Sequence, residues 1–219
     1  MQQQAPRLQH GCVTLGPMSR PMPQPVPDRE APFPSLQAAL TIIGRTPAVL
    51  RALVGGPEGP LKGPDDLDAV VLEAVPGSTG DSPWGPRQVA EHLLDVEDIG
   101  FMDRVRRLVD AGGGGERPHI RSIDPPARLV AGGYAERSLE DLLDEFERRR
   151  AGDVAWLRSL PQSALDNEGE HDRAGVFAAR DLIHYWACHD LLHLRQIARA
   201  LQDTLAPFAG NLVRFFEDV

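Results

Sequence analysis

At 219 residues, with 42% hydrophobic and 25% charged positions, the chain has the length for one well-buried core and the composition of an ordinary globular domain. A net charge of -9, with no clustered Lys/Arg stripe, excludes the phosphate-tracking surface of a nucleic-acid binder. No run approaches the roughly 18 uninterrupted apolar residues of a membrane span. The start has no apolar secretory core, and two distant cysteines, Cys12 and Cys188, give no disulfide framework. The expectation is a cytoplasmic protein.

Met1–Pro34 holds eight prolines and little apolar periodicity, which predicts an extended N-terminal arm ahead of a domain over Ser35–Val219. In Ser35–Val54, Leu36, Ala39, Leu40, Ile43, Leu50 and Leu53 recur at helical spacing, with a kink expected at Thr46-Pro47. A Gly/Pro-rich connection follows, with one short helix expected over Pro64–Glu73. Pro86–Val109 reads as the second long helix, with Pro86 at its first position and Gly112–Gly115 as its end. A loop is expected through Ile123-Asp124-Pro125-Pro126. Ser138–Leu160 is the third helix, capped by Ser138, and Ala178–Leu201 is the fourth. Phe208–Asp218 predicts a short terminal helix. Four long helices and no period-2 strands predict an all-α four-helix bundle.

His189 and His193 stand four residues apart in the fourth helix. Four residues make about 1.1 turns and about 6 Å, so the two imidazoles share a face. A third imidazole from a facing helix, His92, completes a three-His set with open positions for water or substrate. Taken alone, an H-x-x-x-H pair is more often two core or surface histidines. Its context is a polar line, Asp181, Tyr185, His189, His193 and Gln196, on a helix otherwise made of Leu182, Ile183, Trp186, Leu191, Leu194 and Ile197. Such a line inside a bundle needs polar partners.

Asp95, three residues after His92, either holds the free nitrogen of a ligand ring or faces water. His171 is a candidate to support the site or touch substrate, with plain exposure as the alternative. His184, turned about 140° from His189, is a non-ligand. His119 and His10 are expected to be exposed, and Cys188 to be a small buried hydrophobe. His189-Asp190-Leu191-Leu192-His193 nearly matches the zinc-protease H-E-x-x-H. Asp190 is too short for the general-base position, and no downstream third ligand follows.

Two segments carry a family resemblance: Pro83-Trp84-Gly85-Pro86-Arg87-Gln88-Val89-Ala90-Glu91-His92-Leu93-Leu94-Asp95, and Trp186-Ala187-Cys188-His189-Asp190-Leu191-Leu192-His193-Leu194-Arg195-Gln196-Ile197. Together with Phe146, Arg150 and Trp156-Leu157, and with Glu170-His171 and Gly175, they resemble the DinB/YfiT-like superfamily. The resemblance spans about residues 36–201. It implies an up-down-down-up bundle, a divalent metal (Zn, Ni, Mn or Fe) on His92, His189 and His193, and homodimers as a common assembly. It also implies hydrolase chemistry or S-transfer with a low-molecular-weight thiol such as bacillithiol or mycothiol. Trp84, Asp95, Tyr185, Asp190, His171 and Gln196 are then the residues around the metal or against the substrate. A non-catalytic metal- or ligand-binding stress-response protein is the alternative.

Overall fold

The computed structural model describes residues 35–54, 84–112 and 114–215. The expected arm, the helix expected at Pro64–Glu73, His10 and Cys12 lie outside the described residues.

Helix α1 spans Leu36–Val54. Helix α2, Pro86–Val96, runs through a π-helical turn, Glu97–Met102, into α3, Asp103–Ala111. Helix α4 is the short Pro125–Gly132, α5 is Leu139–Ser159 and α6 is Ala179–Leu205. α1 packs on α5 and α6, α2 on α5, and α3 on α6. With α2–α3 counted as one rod, these are four long helices forming a bundle.

The cores of these helices explain their formation. Each presents an apolar stripe at three-to-four spacing, and a fully buried Leu, Ile or Phe contributes about 1.5–3 kcal/mol. The stripes build two clusters. One holds Ile43, Phe101, Val105, Leu108, Val154, Leu157, Ile183 and Trp186. The other holds Leu50, Val54, Val89, Leu93, Leu142, Phe146 and Ile197. Along α1, α5 and α6 the change from one cluster to the other falls at a buried polar residue: Thr46, Arg150, and Asp190 with His193. On the α2–α3 rod Asp95 and Glu97 lie at the same change. A polar layer therefore crosses the bundle between two apolar ones.

Arg150 is the hub of that layer. It is 1% exposed, and its Nε donates to Glu97 Oε1 at 3.0 Å and its Nη1 to Asp190 Oδ2 at 2.5 Å. Nη1 also donates to the Ile43 carbonyl at 2.7 Å. Ile43 is the residue four before Pro47, whose ring nitrogen has no hydrogen to give it. The guanidinium thus replaces the helix bond that Pro47 deletes, and α1 continues through the proline. The side chain lies over the rings of Phe146 at 4.6 Å and Trp186 at 4.9 Å.

Several expectations need correction. The Ile123–Pro126 loop is the entry to α4. The Asp124 carboxylate caps it by accepting from Ala127 N at 3.3 Å, Pro125 and Pro126 fill its first positions, and Gly133 closes it at φ 64°. A small sheet is also present: β1, His119–Ile120, pairs parallel with β2, Glu168–His171, which pairs antiparallel with β3, Gly175–Ala178. β2 lies close on α3 because Gly169 has no Cβ; one placed there would meet Leu108 at 2.5 Å. His119 sits in β1, exposed as expected. α6 runs to Leu205, and the terminal piece is a 3-10 segment over Ala206–Phe215. Cys188 is exposed, because α6 buries Ala187 and Asp190 beside it.

Candidate metal centre

α2 carries His92 into the bundle. Pro86 starts the helix, and Gly85 N–H is satisfied by Gln88 Oε1 at 2.6 Å, which fixes the entry about two turns before the histidine. α6 begins with Ala178 N–H on Asp181 Oδ2 at 2.9 Å and brings His189 and His193 to the same place. His92 and His193 are 4% and 1% exposed, and His189 is half-buried.

His189 Nε2 lies 3.3 Å from His92 Nε2 and 3.2 Å from His193 Nε2. One ligand atom from each of the three rings falls within 4.8 Å of the others. Burial is the main force on their protonation. It pushes His92 down to about 3, with His193 adding to the effect. It takes His193 to about 4 against the opposing bond to Gln196, and it holds His189 well below the usual histidine range. All three imidazoles are neutral at pH 7, the state that binds metal.

The tautomers matter. His193 Nδ1 lies 2.9 Å from Gln196 Oε1, so Nδ1 carries the hydrogen and donates it, leaving the Nε2 lone pair facing His189. A single N–H on His189 Nε2 cannot serve both His193 and His92. His189 Nδ1 is buried with no hydrogen-bond partner among the described residues. Three converging nitrogens, one with its lone pair fixed inward, fit a shared cation. Ligands about 2.0–2.1 Å from a tetrahedral ion lie about 3.3 Å apart, which matches the two close separations.

The walls are aromatic. Trp84 packs on His92 with ring centroids 4.9 Å apart, and Phe101 meets His189 edge-on at 5.3 Å while stacking on Trp186 at 4.8 Å. Tyr185, 57% exposed, has its ring 6.2 Å from that of His189. Phe101 reaches this wall from the π-helical turn, where one residue is added per turn and the following side chains are re-aimed.

The remaining candidates divide. Gln196 and Trp84 touch the histidines. Asp95 touches none: it is clamped by Arg128 Nε at 3.1 Å and Nη2 at 2.8 Å, and accepts from Tyr134 Oη at 3.0 Å, tying α4 to α2. Asp190 points away from the cluster, to Arg150. His171 belongs to the β2–β3 turn, where its Nδ1 accepts from Arg173 N at 3.1 Å and Ala174 N at 3.2 Å. His184 is outside the cluster, with Nδ1 on the Arg180 carbonyl at 2.8 Å. The Arg150–Glu97–Asp190 layer is absent from the sequence reading. Its available signal was a charged residue at each of three core-facing helical positions.

No curated protein matches the chain. Among solved structures, YfiT from Bacillus subtilis, described as a probable metal-dependent hydrolase with an unusual four-helix bundle topology, superposes with a TM-score of 0.62. It is 18% identical, over 82% of this chain and 92% of that one, a likeness of fold. The DinB superfamily model matches residues 43–197, a span that begins in α1 and ends just past Gln196. With its four-helix bundle, its three-His cluster and that match over most of its length, the chain belongs to the DinB superfamily.

Proposed function

We propose that the protein is a metal-dependent enzyme acting on a small molecule, with His92, His189 and His193 as ligands of a divalent ion such as Zn, Ni, Mn or Fe. The observation that carries this reading is the convergence of three neutral Nε2 atoms, with the His193 tautomer set by Gln196. Such an ion supplies a Lewis acid that acidifies a ligating water or thiol. Water gives hydrolysis of an ester or amide, and a low-molecular-weight thiol of the bacillithiol or mycothiol type gives S-transfer. Within this chain, Gln196 orients His193, Trp84 and Phe101 keep solvent from the ring faces, and the exposed Tyr185 hydroxyl is placed to meet a substrate. The relative's description as a hydrolase supports the first chemistry. The proposed setting is the cytoplasm, and the proposed assembly a homodimer.

One observation favours a non-catalytic metal- or ligand-binding role. Glu91, Asp95 and Asp190, the acids within three residues of the ligand histidines on their helices, are all bound to arginines, and no carboxylate joins the cluster among the described residues. A general base from those side chains is therefore missing. Elemental analysis of protein from its native host, followed by ester and amide turnover with and without added thiols, separates the readings. Stoichiometric metal with turnover lost in His189→Ala supports the enzyme. Stoichiometric metal with no turnover of either kind supports the binding protein. Metal retained in His189→Ala refutes the ligand set.

A further inference from the structure

A groove of about 300 Å³ lies between α3 and the β1 strand, apart from the three histidines. Arg104, Arg107 and Arg121 line it with His119 and Ser122, against one carboxylate, Asp103. In a chain of net charge -9 this is a local concentration of positive charge.

The two helix arginines are fixed in an unusual way. Arg104 Nη2 donates to the Arg121 carbonyl at 2.7 Å, and Arg107 Nη2 to the His119 carbonyl at 2.8 Å. Elsewhere the sheltered arginines hold carboxylates: Arg51 has Glu140, Asp144 and Glu147, Arg87 has Glu91, and Arg150 has Glu97 and Asp190. Arg104, half-buried, makes no ion pair among the described residues, and Arg107 reaches only Asp103 at 3.9 Å. Asp172, the other acid near Arg104, is occupied by Ser122 N at 3.0 Å and Ser122 Oγ at 2.7 Å. Neutral carbonyls orient these guanidiniums without neutralising them, so among the described residues each keeps N–H donors for an anion. Tyr185 lies near Arg104 and has its ring 6.2 Å from that of His189.

We infer that this groove is an oxyanion subsite that takes the carboxylate or phosphate of a small molecule, with Arg104 and Arg107 as its binding residues. That the anion is part of the substrate rests on the enzymatic reading above; oxyanion binding itself does not.

The test titrates inorganic phosphate, and separately succinate, into the full-length protein at fixed ionic strength, read by arginine Nε–Hε NMR and calorimetry. Saturable shifts at Arg104 and Arg107 are expected. Arg104→Gln and the more exposed Arg107→Gln should each weaken binding about tenfold or more, the loss of one charge-assisted contact. Arg45→Gln, on the exposed face of α1, should leave it unchanged. His189→Ala should keep phosphate affinity whether or not it keeps metal, so failure of the metal reading leaves the groove standing. Unchanged affinity in both groove variants, equal displacement by chloride, or phosphate binding lost together with metal in His189→Ala overturns the subsite.

Discussion

Replacing Arg150 with Leu removes the hub of the buried polar layer while keeping apolar bulk between Phe146 and Trp186. Three acceptors lose their donor: Glu97 Oε1, Asp190 Oδ2 and the Ile43 carbonyl. Breaking a buried ion pair from one side costs about 3–5 kcal/mol. Stranding the Ile43 carbonyl accounts for about 1–3 kcal/mol of such a loss. For a chain of this size, about 3–5 kcal/mol corresponds to a Tm decrease of roughly 6–20 °C. Urea unfolding followed at 222 nm, at pH 7, reads the change directly. The Ile43 component can be isolated by a double-mutant cycle, because Pro47→Ala restores an N–H aimed at that carbonyl. Pro47→Ala should therefore be about 1 kcal/mol more favourable in the Arg150→Leu background than in the parent. A loss under about 1 kcal/mol in Arg150→Leu would refute the assigned role of the hub. A cycle with no coupling would refute the claim that Arg150 substitutes for the proline's missing donor.

His189→Ala should lose most bound metal by elemental analysis, while His184→Ala, anchored on the Arg180 carbonyl, should keep it. Gln196→Leu should weaken metal affinity about 10–100-fold in competition with a chelator, by freeing the His193 tautomer. Metal-free protein should stay helical and lose stability on acidification. His92 and His193 sit at about 3 and about 4 when folded against an ordinary 6.5, so between those values the unfolded chain binds more protons; stability is full above about 6.5 and falls toward pH 4, measurable as urea midpoint against pH. Glu97 has the opposite sign: burial, with Asp153 and Asp190 adding, pushes it up to about 8, so its contribution is full below about 4.5 and lost as pH rises through 8. Glu97→Gln should flatten that alkaline decline.

The four long helices and the His189–His193 pair were legible because both depend on spacing within one helix, which periodicity reports; His92, on another helix, was tied to the pair by the family resemblance. Ser138 as a cap was legible for the same reason, and Ser138 Oγ does accept from Asp141 N at 3.0 Å. The π-helical turn was not, since Glu97–Met102 reads as continuous helix; its one weak helix former, Gly100, sits where a Cβ would meet Val96 at 3.1 Å. Helix α4 was missed although Asp124-Pro125-Pro126 is a cap followed by two prolines; without an apolar stripe it has no buried residue to announce it. Asp95 was misassigned because its partners, Arg128 and Tyr134, come from 33 and 39 residues away. The sheet escaped notice because its strands are two to four residues long, too short for an alternation to register.

The polar layer and the metal centre share one helix turn, and this links stability to chemistry. Asp190 follows His189 and points the other way, into Arg150, so one turn of α6 serves both. A guanidinium facing two buried carboxylates leaves an excess negative charge unless Glu97 keeps its proton, which its shift to about 8 provides at neutral pH. Asp153 nearby adds to that shift, and Glu97 Oε2 is buried with no hydrogen-bond partner among the described residues. Arg150 Nη1 holds Asp190 Oδ2 at 2.5 Å, fixing the rotation of α6 about its axis. Since His189 Nδ1 has no partner of its own among the described residues, the ring's aim depends on that rotation and on the Phe101 edge. Asp190→Asn should therefore keep all three ligands and still weaken metal binding, with a smaller stability loss than Arg150→Leu because the amide oxygen retains one bond to the guanidinium. Unchanged metal affinity in Asp190→Asn, with unfolding showing the expected stability loss, would separate the two layers and confine the Arg150 hub to a structural role.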